Sequence, residues 1–114
     1  MDKFEKHQNL LNEIHETYIQ KNNAYGDSFT KSCDDFGVIA AVVRMSDKWN
    51  RLKNLVKNND IPFGDESVRD TLMDLANYCV MTVAWIEQND YNITPEEFDK
   101  ITPEEYEKWD KFNS

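Results

Sequence analysis

The sequence predicts an all-α domain of three main helices, the second and third paired as an antiparallel hairpin, with a short helical tail. Three observations carry that expectation. Apolar residues recur at helical spacing through residues 2–22, 36–57 and 66–86, the period of one face of an α-helix. The intervals between these stretches hold Asn, Gly and Pro, the residues that end helices. The second and third stretches also change from apolar to charged at the same height when they are paired antiparallel.

Length and composition set the bounds. A chain of 114 residues holds one domain with a modest core and is too short for two. We expect that domain over residues 1–90 and the tail over 91–114. A hydrophobic content of 39% argues against disorder. No apolar run reaches the length that spans a bilayer, and the start, MDKFEKHQNLLNEI, lacks the apolar segment of a signal peptide. A cytoplasmic protein is expected. Cys33 and Cys79 stand far apart with no histidine pair nearby, so neither a zinc site nor a disulfide is expected. Cys79 falls on an apolar stripe and reads as a core residue. The formal charge of −9 opposes binding to a duplex phosphate backbone. It leaves room for a small nucleotide held by a local basic cluster.

The first helix, residues 2–22, carries Phe4, Leu11, Ile14 and Tyr18 on one stripe, with His7 at its edge as a packed or boundary residue. Glu13 and Glu16 point away from the stripe and read as a solvated face. KNNAYGDSF, residues 21–29, then supplies stop signals in Asn22, Asn23 and Gly26, and Asp27 or Ser28 can cap the next helical segment. As a plain turn, this segment plugs Tyr25 and Phe29 into the core. As a binding loop, Lys21, Tyr25, Asp27 and Ser28 offer a cation, a stacking ring and two polar groups that suit a nucleotide. The two readings stand level.

Residues 30–35 form a helical turn before Phe36 and Gly37. The second long helix, 36–57, has Val38, Ala41, Val42, Met45, Trp49, Leu52 and Val56 on its stripe. FGVIAAVV, its first half, is apolar all round and should be buried. Its second half bears Arg44, Asp47, Lys48 and Arg51 on the opposite face. NNDIPFGDES, residues 58–67, reads as the hairpin loop. The third helix, 66–86, places Val68, Leu72, Leu75, Cys79, Val83 and Ile86 on its apolar stripe and Glu66, Asp70, Asp74 and Asn77 opposite. Beyond Asn77 the polar face disappears, so its second half too should be buried. Equal counting from a turn near Ile61 sets Arg51 against Thr71, Asp47 against Leu75 and Arg44 against Tyr78. The basic stripe of one helix thereby comes level with the acidic stripe of the other. After Asn89, ITPEEFDK and ITPEEYEK repeat in tandem. Each unit has the Thr-Pro-Glu chemistry of a helix start and reads as a capping tail or a small interaction surface.

Two readings of the facing stripes are open. One is a salt-bridge network worth little at a surface. The other is a phosphate site, in which Arg and Lys neutralise phosphate oxygens and carboxylates at i, i+4 hold Mg²⁺.

KNNAYGDSF, followed by RMSDKWNRL and ESVRDTLMDLANYCVM, resembles the nucleotide modification-associated domain type 1 family, an all-α family frequent in phages and bacteria. The resemblance covers residues 18–86 approximately. It rests on Lys21 and Tyr25–Phe29, then Arg44, Asp47, Lys48 and Arg51, then Asp70 and Asp74–Tyr78. In outline it is similar to the all-α nucleoside triphosphate pyrophosphohydrolases of the MazG and dimeric dUTPase type. There, paired ExxE and ExxD motifs bind Mg²⁺ at sites built between subunits, and this implies a homo-oligomer. Here the second helix offers one acid, Asp47, and three cations.

The resemblance implies binding of a nucleotide or nucleotide-derived phosphate compound, with or without its processing. Arg44, Lys48 and Arg51 would bind phosphate, and Tyr25 or Tyr78 would stack on the base. Asn77 would read a base edge or sugar hydroxyl. Asp70 and Asp74, with Asp47 or Glu66, would hold Mg²⁺ or instead position the three cations. One rival is a non-catalytic sponge that sequesters a signalling nucleotide in phage–host conflict. Another is an acidic interaction protein or nucleic-acid mimic, which the net charge suits.

Overall fold

The computed structural model describes residues 1–58 and 66–92. Four helices succeed one another: α1 (Lys3–Tyr25), α2 (Ser28–Phe36), α3 (Ile39–Asn58) and α4 (Glu66–Gln88). Among the described residues there is no strand, and no helix is long and apolar enough to cross a membrane. α3 and α4 form the antiparallel hairpin, α2 packs on α3, and α1 packs on α4. The expected turn around Pro62 and Gly64 and the tail from residue 93 onward lie outside the described residues.

α1 begins at Asp2, whose side chain accepts a hydrogen bond from the Glu5 amide at 2.8 Å, the ordinary N-cap arrangement. It runs one turn further than its Asn residues suggest. Asn22 and Asn23 are helical, and the helix stops at Gly26, whose φ is 66° and whose N–H donates to the Asn22 carbonyl at 3.0 Å. Glycine enters the left-handed region without the steric cost that asparagine carries, so the glycine sets the end. Asp27 comes next, also left-handed at φ 55°, and its carboxylate caps α2 through the Thr30 amide at 3.4 Å. Two consecutive left-handed residues turn the chain sharply. Residues 30–35, expected as a single helical turn, belong to a full helix, α2. It ends at Gly37, also left-handed at φ 76°; a Cβ there would lie 3.0 Å from the Tyr91 hydroxyl. Phe36 accordingly closes α2 and does not open the long helix after it.

The core gathers Phe29, Cys33, Val38, Ala40, Ala41 and Trp85, with Phe36, Met45, Tyr78, Met81, Ile86 and Tyr91 packed against it. The apolar first half of α3 is buried as expected, from Val38 through Val43 with Val42 half-covered. The Trp85 indole donates from Nε1 to Asp34 Oδ1 at 3.0 Å and packs against the Tyr91 ring at 5.0 Å between centroids. Its polar edge is therefore satisfied where its body is buried.

The face that α4 turns inward shares Val68 and Ile86 with the stripe its hydrophobic pattern marks but is otherwise shifted around the helix. Its buried residues are Val68, Thr71, Thr82 and Trp85. The two threonines donate to the Ser67 and Tyr78 carbonyls, at 2.7 and 2.6 Å, which removes the cost of burying their hydroxyls. Leu72, Val80 and Val83 stay exposed at 42%, 60% and 53%. Cys79, expected in the core, is exposed beside Met45, with 3.8 Å between the sulfurs. The second half of α4 is therefore half-covered, not buried all round. On α3, Trp49 is likewise exposed, although it lies on the apolar stripe. α1 buries no residue fully: Ile14 and Tyr18 are half-buried, while Phe4, Leu11 and His7 are exposed.

This packing has consequences for stability and thiol chemistry. Trp85→Ala should destabilise the fold by about 3–5 kcal/mol in urea unfolding, the usual cost of truncating a buried aromatic. Trp85→Phe should cost less, since it chiefly removes a hydrogen bond worth about 0.5–1.5 kcal/mol. Burial pushes the Cys33 thiol from 9.0 up to about 11, so at pH 8 almost no thiolate forms there. Ellman's reagent at that pH should titrate Cys79 alone in the native protein and both thiols in denaturant. Fast reaction of two thiols in the native state would contradict the burial of Cys33.

Candidate functional site

The Gly26–Asp27 corner brings the last turn of α1 and the first turn of α2 over one side of the hairpin. A cleft of about 290 Å³ opens there. α1 contributes Tyr18, Lys21, Asn22 and Tyr25; the corner and α2 contribute Asp27, Ser28 and Phe29. Arg44 comes from α3, and Asp74, Asn77, Tyr78 and Met81 come from α4.

Its floor is aromatic and cationic. The Phe29 and Tyr78 rings lie 5.9 Å apart at a tilt of 32°. The Arg44 guanidinium sits 6.0 Å from the centre of the Phe29 ring and donates from Nη2 to Ser32 Oγ at 3.4 Å. Arg44 is half-buried because the residues around it on α3 are core. Among the described residues no carboxylate forms an ion pair with it. At the mouth Tyr25 is 74% exposed. Of the pair expected to plug the core, Phe29 does so and Tyr25 does not.

The expected level pairing of the hairpin is observed. Lys48 on α3 reaches Asp74 Oδ2 at 3.0 Å, in the register obtained by equal counting. Lys21 on α1 meets the other oxygen, Oδ1, at 3.4 Å. Asp74 therefore links three helices, and the cations it holds are Lys21 and Lys48, not Arg44 or Arg51. Behind this link lies a second cleft of about 330 Å³, lined by Glu13, Ile14, Thr17, Lys21, Arg69, Asp70, Met73, Asp74 and Asn77. The Lys21–Asp74 pair forms the ridge between the two clefts. Tyr18, Phe29, Asn77 and Met81 in turn separate the first cleft from an apolar groove of about 260 Å³ between α1 and α4.

The sequence-derived residues Lys21, Tyr25, Asp27, Ser28, Arg44, Asn77 and Tyr78 thus come together in one cleft. Lys48 stands behind it through Asp74. Arg51 is exposed and lines neither cleft. Of the acids expected to hold Mg²⁺, Asp70 and Asp74 both line the second cleft and Asp74 also borders the first, while Asp47 and Glu66 are exposed and line neither. Among the described residues no group of three or more His, Cys, Asp or Glu is gathered to hold a metal ion. Both oxygens of Asp74 already face lysines.

Two residues of the clefts differ from the sequence-based expectation. Tyr18, on the apolar stripe of α1, is half-buried in the cleft wall, because α1 lies over the hairpin without sinking into it. Glu13, on the face expected to be solvated, pairs with Arg69 of α4, Nη2 to Oε2 at 2.6 Å. The side of α1 that meets α4 depends on the corner at residues 26–27, which periodicity within α1 does not encode.

The model of a family described as nucleotide modification associated domain 1 matches residues 21–86. That stretch begins at Lys21 and takes in the corner, α2 and the hairpin. Neither the curated proteins nor the solved structures provide a match to the chain.

Because the Asp74 pairs are partly solvated, Asp74→Asn should change the unfolding free energy by no more than about 1 kcal/mol. Urea unfolding checks this. A loss of several kcal/mol would show the link to be a structural keystone and not an element of the cleft.

Proposed function

The chain belongs to the nucleotide modification associated domain 1 family, and from that premise we propose that it binds a nucleotide or a nucleotide-derived phosphate compound in the 290 Å³ cleft. The observation that carries this reading is Arg44. A half-buried guanidinium without a carboxylate partner among the described residues is costly to hold, and an anionic ligand offsets that cost. Phosphate suits it best, since the planar fork of arginine donates two parallel hydrogen bonds to phosphate oxygens.

The other cleft residues supply the contacts that the rest of a nucleotide needs. Tyr25 is exposed at the mouth with a face open to a base, and Tyr78 offers a second ring deeper in. Base–aromatic stacking contributes roughly 1–3 kcal/mol per base. The Asn77 amide can donate to and accept from a base edge. Asp27 and Ser28 line the same cleft and offer a carboxylate and a hydroxyl to a sugar hydroxyl. Lys21 closes one side.

Holding the ligand fits this cleft better than hydrolysing it. The Asp74 carboxylate in the cleft wall is engaged by two lysines. A sponge-like or substrate-presenting role in nucleotide modification is therefore the form of the proposal we favour.

A thermal-shift screen of nucleosides and nucleotides, each with and without Mg²⁺, tests it. At least one nucleotide should raise the melting temperature, and the bound compound should be recovered intact by mass spectrometry after denaturation. Arg44→Ala should weaken that binding by roughly tenfold to a hundredfold, the range for one charged hydrogen-bonded contact. Tyr25→Ala should weaken it without altering the fold. No stabilisation by any nucleotide at millimolar concentration would overturn the reading. It would favour the acidic interaction protein, for which Arg44→Ala leaves partner affinity unchanged.

A further inference from the structure

We propose that the cleft selects compounds with a single phosphate group over di- and triphosphates, and that Asp74 is the residue that sets this selectivity. The proposal rests on the nucleotide reading above and adds the charge of the ligand to it.

Charge placement comes first. The cleft wall carries two cations, Lys21 and Arg44, and two anions, Asp27 and Asp74. Sites for polyphosphates gather several cations or metal ions around the phosphate chain. Here Asp74 takes up the cations that could do so. Lys21 lies 3.4 Å from its Oδ1 and Lys48 lies 3.0 Å from its Oδ2. Of these three cations, Arg44 alone has no carboxylate partner among the described residues, and one guanidinium fork matches one phosphate group.

Geometry gives a second phosphate no better place. The two clefts share Lys21 and Asp74, so a chain of phosphates extending past this pair would enter the second cleft. That cleft holds three acids, Glu13, Asp70 and Asp74. Its two cations are engaged, Lys21 by Asp74 and Arg69 by Glu13 at 2.6 Å. Additional phosphates would therefore meet carboxylates, and like charges brought together oppose binding. A volume of about 290 Å³ also lies at the small end of ligand sites.

Asp74→Asn should weaken or remove the preference. It releases Lys21 and Lys48 together and removes one negative charge from the wall.

The experiment is isothermal titration in EDTA with the full chain. The ligands are deoxyadenosine, deoxyguanosine, deoxycytidine and thymidine, each as nucleoside, mono-, di- and triphosphate, with inorganic phosphate alone as a further arm. For the base that binds best, the monophosphate should bind at least about tenfold more tightly than the triphosphate, a difference of about 1.4 kcal/mol. It should also bind more tightly than the nucleoside or inorganic phosphate. In Asp74→Asn the triphosphate should gain about tenfold or more and the monophosphate clearly less. Wild-type affinity that rises with each added phosphate would overturn the selectivity and leave nucleotide binding standing. A wild-type preference that Asp74→Asn does not change would remove Asp74 from the role assigned to it. No binding by any compound would overturn the selectivity and the nucleotide reading together. The wild-type ranking decides the first point even if the variant folds poorly.

Discussion

The register of α3 against α4 is the constraint on which the candidate site depends. Lys48 meets Asp74 at 3.0 Å, and that alignment sets Arg44 level with Tyr78 one turn further along. A slip of one residue on either helix would rotate its contacts by about 100° and carry Arg44 away from the cleft. A partly solvated ion pair contributes little free energy of its own. The register itself is held by burial, through Ala40 and Ala41 on α3 and Trp85 on α4. Small residues let the two helices approach closely, and the large indole fills the end of the pair away from the hairpin loop. The charged contacts report this alignment more than they create it.

A second constraint is the left-handed pair Gly26–Asp27. It lets a long, mostly exposed α1 fold back over the hairpin, and it puts Tyr25 and Lys21 at the mouth while Phe29 enters the core. One short segment thereby serves as turn, core plug and cleft wall. Of the residues in that segment, Phe29 is buried in the core and Tyr25 faces the cleft opening. Asp27 caps α2 through the Thr30 amide and also borders the cleft.

Much of this was legible in the chain, and the gaps have a common cause. Helix positions, the hairpin and its register are consequences of periodicity and loop chemistry. The gathering of Lys21, Tyr25, Arg44, Asn77 and Tyr78 emerges when two charged stripes are read together with the loop before them. Periodicity finds apolar faces but does not say which of them the chain itself covers. Of the stripe that α4's pattern marks, Val68 is fully buried but Leu72, Cys79 and Val83 stay exposed, while Thr71, Thr82 and Trp85 pack inward. Two threonines that satisfy their own hydroxyls within the helix carry no hydrophobic signal. Likewise Glu13 reads as solvated because its partner, Arg69, is distant in sequence, and only the corner at 26–27 brings them together. Of the acids that form one stripe on α4, Asp70 and Asp74 both line the second cleft, Asp74 alone reaches the first, and Glu66 lines neither.

In the proposed function Arg44 is the anion anchor of a nucleotide cleft. The most direct measurement is a nuclear magnetic resonance titration that follows the Arg44 side-chain Nε–Hε signal, assigned with Arg44→Lys, as a nucleoside monophosphate is added. The account predicts a saturable shift of that signal, together with shifts of the Tyr25 and Asn77 amides at the same ligand concentration. An Arg44 signal that stays fixed while the exposed side of the hairpin around Trp49, Leu72 and Val83 responds would contradict it.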